Sequence, residues 1–258
     1  SSAVMSDSVL EGFIIQGGQD TATAVIPVFA KGSDVTIRYN TITAPVDGYA
    51  IGLESDDSSN PADSIIENNV IYGADGGLRS VGIYVNDYSD PTIRNNTIIA
   101  GNPTSHGGES IAVYVDWFSN PVIDGNILTA GQATGDRGKS VGIYSVNSSS
   151  PIITNNTINA GYGKSVSYAL YFSYGGWPVI DSNVMFTPES GSQSKYGMYI
   201  GSAARIDSMT RNNLYGFPDG FALIYTEDRV LRTIEEVNDR WVPENSGYEE
   251  PDNYSEEP

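Results

Sequence analysis

The feature that most constrains the fold of this chain is a sequence repeat about thirty residues long. Each repeat contains a Pro followed by two β-branched residues, an Asn followed by a β-branched and a long apolar residue, and a strand of the type Val-Gly-Ile-Tyr. Successive prolines, at Pro91, Pro121, Pro151 and Pro178, lie 30, 30 and 27 residues apart. A fixed period of this length is typical of a solenoid, in which each unit buries its apolar face against its neighbours.

Alternation within the repeat predicts short strands with one face in a core. In the strand that begins at Val81, residues 81, 83 and 85 are expected to face inward and residues 82 and 84 outward. The outward positions recur as a row of small residues and a row of tyrosines: Gly82, Ala112, Gly142, Ala169 and Gly197, then Tyr84, Tyr114, Tyr144, Tyr171 and Tyr199. Three short strands and three turns per repeat, stacked about 4.8 Å apart, predict an all-β, single-stranded parallel β-helix of about eight coils.

A recurrent asparagine and alternating charges support this register. We expect the asparagines to occupy one turn on seven successive coils, where Asn tolerates a left-handed backbone and its amide bonds the Asn above and below. The row comprises Asn40, Asn69, Asn96, Asn126, Asn156, Asn183 and Asn213. Charges of alternating sign recur beside it (Arg38, Glu67, Arg94, Asp124) and before the Tyr-bearing strand (Arg79, Glu109, Lys139), which favours cross-strand ion pairs.

Three segments follow from the pattern. Residues 1–226 are assigned to the parallel β-helix, residues 227–242 to a short capping helix, and residues 243–258 to an acidic tail or linker. Thr233 and Glu236 form a capping-box pattern at the helix start. Because an open coil end is a template for strand pairing, a cap is expected at the C-terminal end, and an uncapped N-terminal coil suggests self-association.

The charge and the cysteine content of the chain limit the classes of partner and metal site that we expect. The chain carries 32 acidic and 13 basic residues, a formal charge of −19, and no cysteine. Nucleic acid and membrane insertion are therefore not expected, and disulfides and thiolate metal sites are excluded. We expect a secreted or cell-surface location, extracellular or periplasmic, in a bacterium.

The Asn-Asn-Thr-Ile turns and Gly-Ile-Tyr strands resemble the right-handed parallel β-helix repeats of the pectin-lyase-like superfamily, over roughly residues 8–225. The resemblance implies a right-handed coil. It implies no single activity, because the superfamily holds polysaccharide lyases, hydrolases, epimerases, tailspikes and adhesins. Its catalytic sets do not carry over: Thr92, not His, follows Asp90-Pro91, and His106-Gly107 stands alone.

The outer tyrosines are the first candidate site. We name Tyr84, Tyr114, Tyr144, Tyr171 and Tyr199 the Tyr strip, and add Trp117 to the candidate binding residues. Beside a trench of Gly and Ala, a flat aromatic strip suits sugar rings or a protein partner. The alternative is a cross-strand stack that only stabilises the sheet.

Acidic residues in the turn after the Tyr-bearing strand form the second candidate. They are Glu54, Asp56, Asp57, Asp87, Asp90 and Asp116. Stacked carboxylates raise one another's pKa or share a hard cation, so calcium is the one cofactor considered, and solvated turn residues are the alternative. Glu54, Asp87 and Asp116 are the catalytic candidates if the chain is an enzyme. The loops at residues 99–110 and 129–140, with the only histidine, His106, are a third candidate surface.

The sequence therefore favours a non-catalytic β-helix domain that binds carbohydrate or a protein partner through the Tyr strip. One alternative is a polysaccharide lyase or glycoside hydrolase that uses stacked Asp and Glu, with or without calcium. Another is a structural segment of a larger surface protein.

Overall fold

A computed structural model of the chain describes residues 8–18, 26–45, 47–55, 63–188, 191–241 and 253–256. Within these residues the chain winds through three parallel sheets, which we name A, B and C, and visits them in the order A, B, C on each coil. A fourth, two-stranded sheet pairs Gln132–Ala133 with Tyr162–Gly163. The prediction of a parallel β-helix is confirmed.

The strands of sheets A and B are only three or four residues long, because a turn interrupts each of them. Sheet A contains Ser8–Glu11, Val35–Arg38, Ile65–Glu67, Thr92–Arg94, Val122–Asp124, Ile152–Thr154, Val179–Asp181 and Ser208–Thr210. Sheet B contains Ile14–Gln16, Thr41–Thr43, Val70–Tyr72, Thr97–Ile99, Ile127–Thr129, Thr157–Asn159, Val184–Phe186 and Asn213–Tyr215.

Sheet C has the longest strands. It contains Val28–Lys31, Gly48–Glu54, Arg79–Asn86, Glu109–Val115, Lys139–Val146, Val166–Ser173, Ser194–Ile200 and Gly220–Ile224 in parallel, with Arg229–Leu231 added antiparallel at its end. Equivalent residues stand opposite one another from coil to coil, as in the pairing of Ile66, Ile93 and Ile123. The core is therefore a set of columns of buried aliphatic side chains.

Both residues at the middle of each sheet C strand face the core, which corrects the predicted alternation. Ala112 and Val113 are both fully buried in the core, whereas Ile111 belongs to a separate cluster with the tyrosines. The strand therefore bends at the row of Gly and Ala. A Cβ on Gly82 would lie 2.4 Å from Cγ2 of Ile98, so this row is small because sheet B packs against it. It does not form an outer trench.

A ladder of buried asparagines forms the corner between sheets A and B. Each Asn Oδ1 accepts the backbone N–H and the side-chain amide of the Asn on the preceding coil, as Asn126 does from Asn96 at 2.9 and 3.1 Å. Two details differ from the prediction. Asn212, not Asn213, accepts from Asn183, and the left-handed backbone falls on the residue before the ladder Asn, such as Asn95 with φ 55°.

Serines form comparable ladders at the other two corners, and the sequence analysis missed them. At the corner between sheets B and C, the Ser110 hydroxyl donates to the Gly101 carbonyl and accepts the Gly131 N–H, both at 2.8 Å. At the corner between sheets C and A, the Ser119 hydroxyl accepts the Ser89 N–H at 3.2 Å. All three corners thus satisfy their buried backbone groups with side chains.

The C-terminal end is covered as predicted by a short helix, Ile234–Trp241, which we name α1. Its start has the expected capping box, because the Thr233 hydroxyl accepts the Glu236 N–H at 3.3 Å and the Glu236 carboxylate accepts the Thr233 N–H at 3.2 Å. Val237 is buried in the core. A 3₁₀ turn, Tyr225–Glu227, precedes α1. No helix among the described residues is long and apolar enough to span a membrane.

Part of the segment assigned to a tail or linker lies against the last coil. Asn253 is buried and supplies a further rung of the ladder, because its Oδ1 accepts the Asn212 N–H at 3.0 Å. The neighbouring Tyr254 accepts the Leu214 N–H at 2.8 Å and extends sheet B. Asparagine recurrence alone could not place this rung, since it follows Asn212 by 41 residues instead of about 30.

Candidate functional site

The Tyr strip lies on the outer side of sheet C. Its rings follow one another with centroids 4.4–5.1 Å apart, and those of Tyr144, Tyr171 and Tyr199 are nearly parallel. Tyr49 stacks on Tyr84 and extends the strip by one coil. All five members are half-buried, because they pack over the outer row that contains Ile111. The strip is a second apolar cluster outside the core.

Three charged residues run beside the strip. The Glu109 carboxylate lies 2.6 Å from the Arg79 guanidinium and 2.7 Å from the Lys139 ammonium. The Lys139 ammonium also lies 4.5 Å from the Tyr144 ring centroid, a favourable cation–π distance. Burial opposes the ionisation of Glu109, but Lys139 and Arg79 outweigh burial and hold its pKa below the usual value. The predicted charge row is therefore an ion-pair ladder.

Burial is the main influence on the phenols of the strip. It raises the pKa of Tyr84, Tyr114, Tyr144 and Tyr171 well above 10.0, and Asp116 adds to the rise at the first two. The neighbouring hydroxyls of Tyr144 and Tyr199 raise the pKa of Tyr171 further. The phenols are therefore neutral hydrogen-bonding groups at physiological pH.

A different set of aromatic residues lies at the corner between sheets C and A, and all but the half-buried Tyr88 are exposed. We name Tyr88, Trp117, Phe118, Tyr174 and Trp177 the aromatic corner. Trp117 is 53% exposed, Tyr174 65% and Trp177 57%. Such rings contribute little to the core, so this corner is the candidate contact surface.

The aromatic corner is built from turns that stack in register. The Tyr88 N–H donates to the Trp117 carbonyl at 2.9 Å, and the Phe118 N–H donates to the Asn147 carbonyl at 3.0 Å. Tyr88 and Phe118 consequently stack, with centroids 5.3 Å apart and planes 5° apart. Trp117 belongs to the adjacent column, which continues through Asn147 to Tyr174.

The turns hold bulky residues in a left-handed backbone. Tyr88, Trp117, Phe118 and Tyr174 have φ of 60°, 44°, 56° and 59°. This conformation disfavours large side chains, and glycine would adopt it more readily. The same left-handed pair recurs at Asn147 and Ser148, so the conformation belongs to the repeat, and the rings occupy it despite its cost. Of these rings only Trp117 was predicted from the sequence as a binding residue, because each column mixes residue types, such as Trp117, Asn147 and Tyr174.

The predicted acidic residues lie at the same corner but do not form one cluster. Glu54 pairs with the Lys31 ammonium at 2.5 Å. Asp116 is buried and accepts the Trp117 N–H at 2.8 Å and the Asn147 amide at 2.7 Å. Asp90 is half-buried, and its Oδ1 accepts the Asn120 N–H at 2.6 Å.

No metal site is evident in the part of the chain that the structure describes. Within it, no three of the His, Asp and Glu side chains are grouped so that they could hold a metal ion. Asp87 lies in the left-handed turn next to Tyr88. Asp56 and Asp57 lie outside the described residues, so the calcium prediction is not tested on the whole predicted set.

The glycine-rich loops lie at the corner between sheets B and C, one sheet C strand away from the aromatic corner. They stack on each other, since the Thr134 N–H donates to the Pro103 carbonyl at 3.1 Å and the Gly107 N–H donates to the Asp136 carbonyl at 2.6 Å. His106 is exposed. The loops therefore continue the solenoid, and a role for them as a binding wall stays a prediction.

A cavity of about 470 Å³ lies at the C-terminal end, between residues 203–206, the last coil and α1. Arg205 and Trp241 line it. The Arg205 guanidinium also lies 5.7 Å from the Trp177 ring centroid, so the cavity adjoins the end of the aromatic corner. None of the binding, metal or catalytic residues predicted from the sequence lines it.

Comparison with known proteins supports the architecture. The family model described as "Right handed beta helix region" matches residues 25–217, more than half of the 258-residue chain. No curated protein and no solved structure gives a significant match. The coiled topology, the stacked registers and this match agree, and the chain belongs to the right-handed β-helix family.

Proposed function

We propose that this chain is a non-catalytic glycan-binding β-helix domain, and that it binds through the aromatic corner together with the adjoining face of the Tyr strip. The observation that carries the proposal is the exposure of Trp117, Tyr174 and Trp177 in turns that stack from coil to coil. Exposed aromatic rings stack on the apolar faces of sugar rings. A row of them along a solenoid suits a linear polymer.

Polar groups beside the rings support the same ligand class. Asn120 lies in the same turn as Trp117, and Asn147 lies on the next coil; each side chain is held by a carboxylate, Asp90 and Asp116 respectively. Amide and carboxylate groups next to a ring are suitable partners for sugar hydroxyls. The half-buried Tyr strip, whose rings stack on one another, supplies an adjoining wall to the site.

The proposed site differs in one respect from the site predicted from sequence. The sequence predicts the Tyr strip as the contact surface, partly because it predicts an outer trench along the row of Gly and Ala. That row is in the core, so we propose the aromatic corner, not the Tyr strip, as the main contact surface. We also propose a secreted or cell-surface location, because a domain placed there would encounter linear glycans.

Binding to a panel of plant, algal and bacterial polysaccharides tests the proposal, by affinity electrophoresis followed by calorimetry. The Trp117→Ala and Trp177→Ala variants should each weaken binding about fivefold to a hundredfold, as expected for loss of about 1–3 kcal/mol of stacking. Tyr39→Ala is the matched control, because Tyr39 is also exposed (57%) in a left-handed turn, with φ 55°, but at another corner. Equal losses in all three variants, or no glycan bound by the parent protein, would count against the proposal.

A further inference from the structure

The outer face of sheet B carries no charge, unlike the outer faces of the other two long sheets. The central residue of each sheet B strand faces the core, so the first and third residues face outward, as in Thr97–Ile99. Across the eight strands of sheet B that the structure describes, none of these outward residues is charged. The outward charged residues of sheet A are Glu11, Arg38, Glu67, Arg94, Asp124 and Asp181, and sheet C carries Arg79, Glu109 and Lys139.

One column of this face has a regular pattern of polarity. The first outward residues of successive strands stand opposite one another, every one of the first seven is β-branched, and aliphatic side chains alternate with threonine. The column is Ile14, Thr41, Val70, Thr97, Ile127, Thr157 and Val184. Thr97 is its middle member, so the order of aliphatic and hydroxyl side chains is the same in both directions from Thr97. Such a column is complementary to a second copy of itself turned by half a rotation.

The face is accessible to a partner. Ile14 is 80% exposed and Ile127 53%, and the other members of the column are exposed or half-buried. Exposed apolar side chains gathered on one face mark a surface for protein contact. Eight strands span roughly 34 Å, and each strand with its flanking residues spans about 16 Å. Two copies would therefore bury about 1,100 Å² in total, which is near the lower limit for a specific interface.

We propose that two copies of this chain form a twofold-symmetric dimer through the outer faces of sheet B, with the axis at Thr97. Val70 of each copy then lies against Ile127 of the other, and the two Thr97 hydroxyls meet at the axis. Face-to-face packing of two sheets through β-branched residues is a common arrangement. The small area predicts a weak dimer that depends on concentration.

The charge of the chain favours a second copy at this face. Two copies with a formal charge of −19 each repel one another, and contact through sheet A or sheet C would bring acidic residues of both copies together. Sheet B avoids such contacts. It also lies across the coil from the corner between sheets C and A, so the aromatic corners of both copies stay free. The dimer does not depend on the glycan-binding function proposed above.

Sedimentation equilibrium over a range of protein concentrations tests the dimer. The average mass should rise from one chain towards two, with a dissociation constant in the micromolar range. Added salt should strengthen the dimer, because it screens the repulsion between the copies while the interface contains no ion pair to weaken. A mass of one chain up to about 1 mM protein, or a dimer that salt dissociates, would overturn the proposal.

Two lysine variants assign the contact to sheet B. Ile127→Lys should weaken the dimer at least tenfold, because it places an unpaired charge in the interface. Ile152→Lys is the matched control, since Ile152 is also exposed (41%) on a three-residue strand, but on the outer face of sheet A. Thr157→Lys, at an exposed position, should act like Ile127→Lys and replaces it if circular dichroism shows that Ile127→Lys does not fold. Equal weakening at positions 127 and 152 would contradict the assigned face.

Cross-linking locates the axis. The chain has no cysteine, so Thr97→Cys introduces a single thiol, and a short bis-maleimide should join two copies of this variant. Ile14→Cys should not be joined, because Ile14 lies three strands from the axis and the two thiols would be roughly 28 Å apart. The reverse result would mean association through the N-terminal coil and would overturn the proposal. A monomeric parent protein that loses glycan binding in Ile127→Lys would mean that the face binds glycan, which also overturns it.

Discussion

The Tyr strip and the aromatic corner are neighbouring rows of aromatic side chains that have opposite physical characters. In the strip, five half-buried tyrosines cover an apolar row and lie beside the ion-paired Arg79, Glu109 and Lys139. At the corner, rings such as Trp117 and Trp177 are more than half exposed. Aromatic content alone therefore does not identify a binding surface. Exposure distinguishes the two rows.

The largest expected effect that separates the two rows is alkaline destabilisation of the strip. The pKa of the strip tyrosines is raised above 10.0 in the folded state, mainly by burial. The resulting stabilisation is complete below pH 10 and is lost as the pH rises above it, because the unfolded chain then releases protons that the folded chain retains. Each such tyrosine should lower the free energy of unfolding by up to about 1.4 kcal/mol per pH unit.

Denaturant unfolding at several alkaline pH values, with phenolate absorbance recorded in parallel, measures this effect. Tyr171→Phe should reduce the slope by the share of one tyrosine, since it keeps the ring and removes the ionisable group. Phenolate formation by the strip in the still-folded protein at pH 10 would contradict the description of the strip as buried.

Truncation of one ring in each row gives the next largest difference. Tyr144→Ala should lower the free energy of unfolding by about 2–4 kcal/mol, because Tyr144 stacks on Tyr171 at 4.4 Å and covers buried neighbours. Trp117→Ala should change it by less than about 1 kcal/mol, since the ring is mostly in solvent. Urea unfolding followed by circular dichroism gives both values. Similar losses in the two variants would remove the distinction between the rows.

The smallest expected effect is a gain in stability. Trp117→Gly should raise the free energy of unfolding by about 0.5–1 kcal/mol, because glycine relieves the left-handed backbone at φ 44°. The same substitution at Tyr39, with φ 55°, is the reference for relief at a corner without a proposed ligand. A gain at Tyr39 with a clear loss at Trp117 would mean that Trp117 is retained for folding, not for binding.

The sequence was sufficient to predict the solenoid, because period-two apolar residues and the asparagine row recur on every coil. The capping box at Thr233 was also predicted, since it depends on four consecutive residues only. The bend of sheet C was not predicted from the sequence. Strict alternation placed Ala112 outside, whereas packing against sheet B requires two inward positions in succession there.

The candidate site was less predictable than the fold for a related reason. The Tyr strip repeats on each coil and so was easily recognised, but a repeated residue indicates only that the side chains stack, not that they bind a ligand. The aromatic corner uses Tyr88 and Phe118 in one column and Trp117 and Tyr174 in another, with Asn147 between them. Tyr88 and Phe118 lie 30 residues apart, as Pro91 and Pro121 do, so the spacing itself places them in equivalent turns. The spacing does not show that rings in these turns lie outside the core, because exposure depends on how the corner packs.

The asparagine ladder has a consequence for how proteins of this kind change in length. Each Asn oxygen serves the coil before it, and each amide donates to the coil before it and to the coil after it, as Asn126 does with Asn96, Ile93 and Asn156. Recombination that duplicates or excises one whole coil would therefore rejoin identical donors and acceptors. Growth in whole coils therefore keeps the ladder intact, and extra residues are tolerated between rungs, as steps of 27, 30 and 41 residues show, provided that they lie away from the corner.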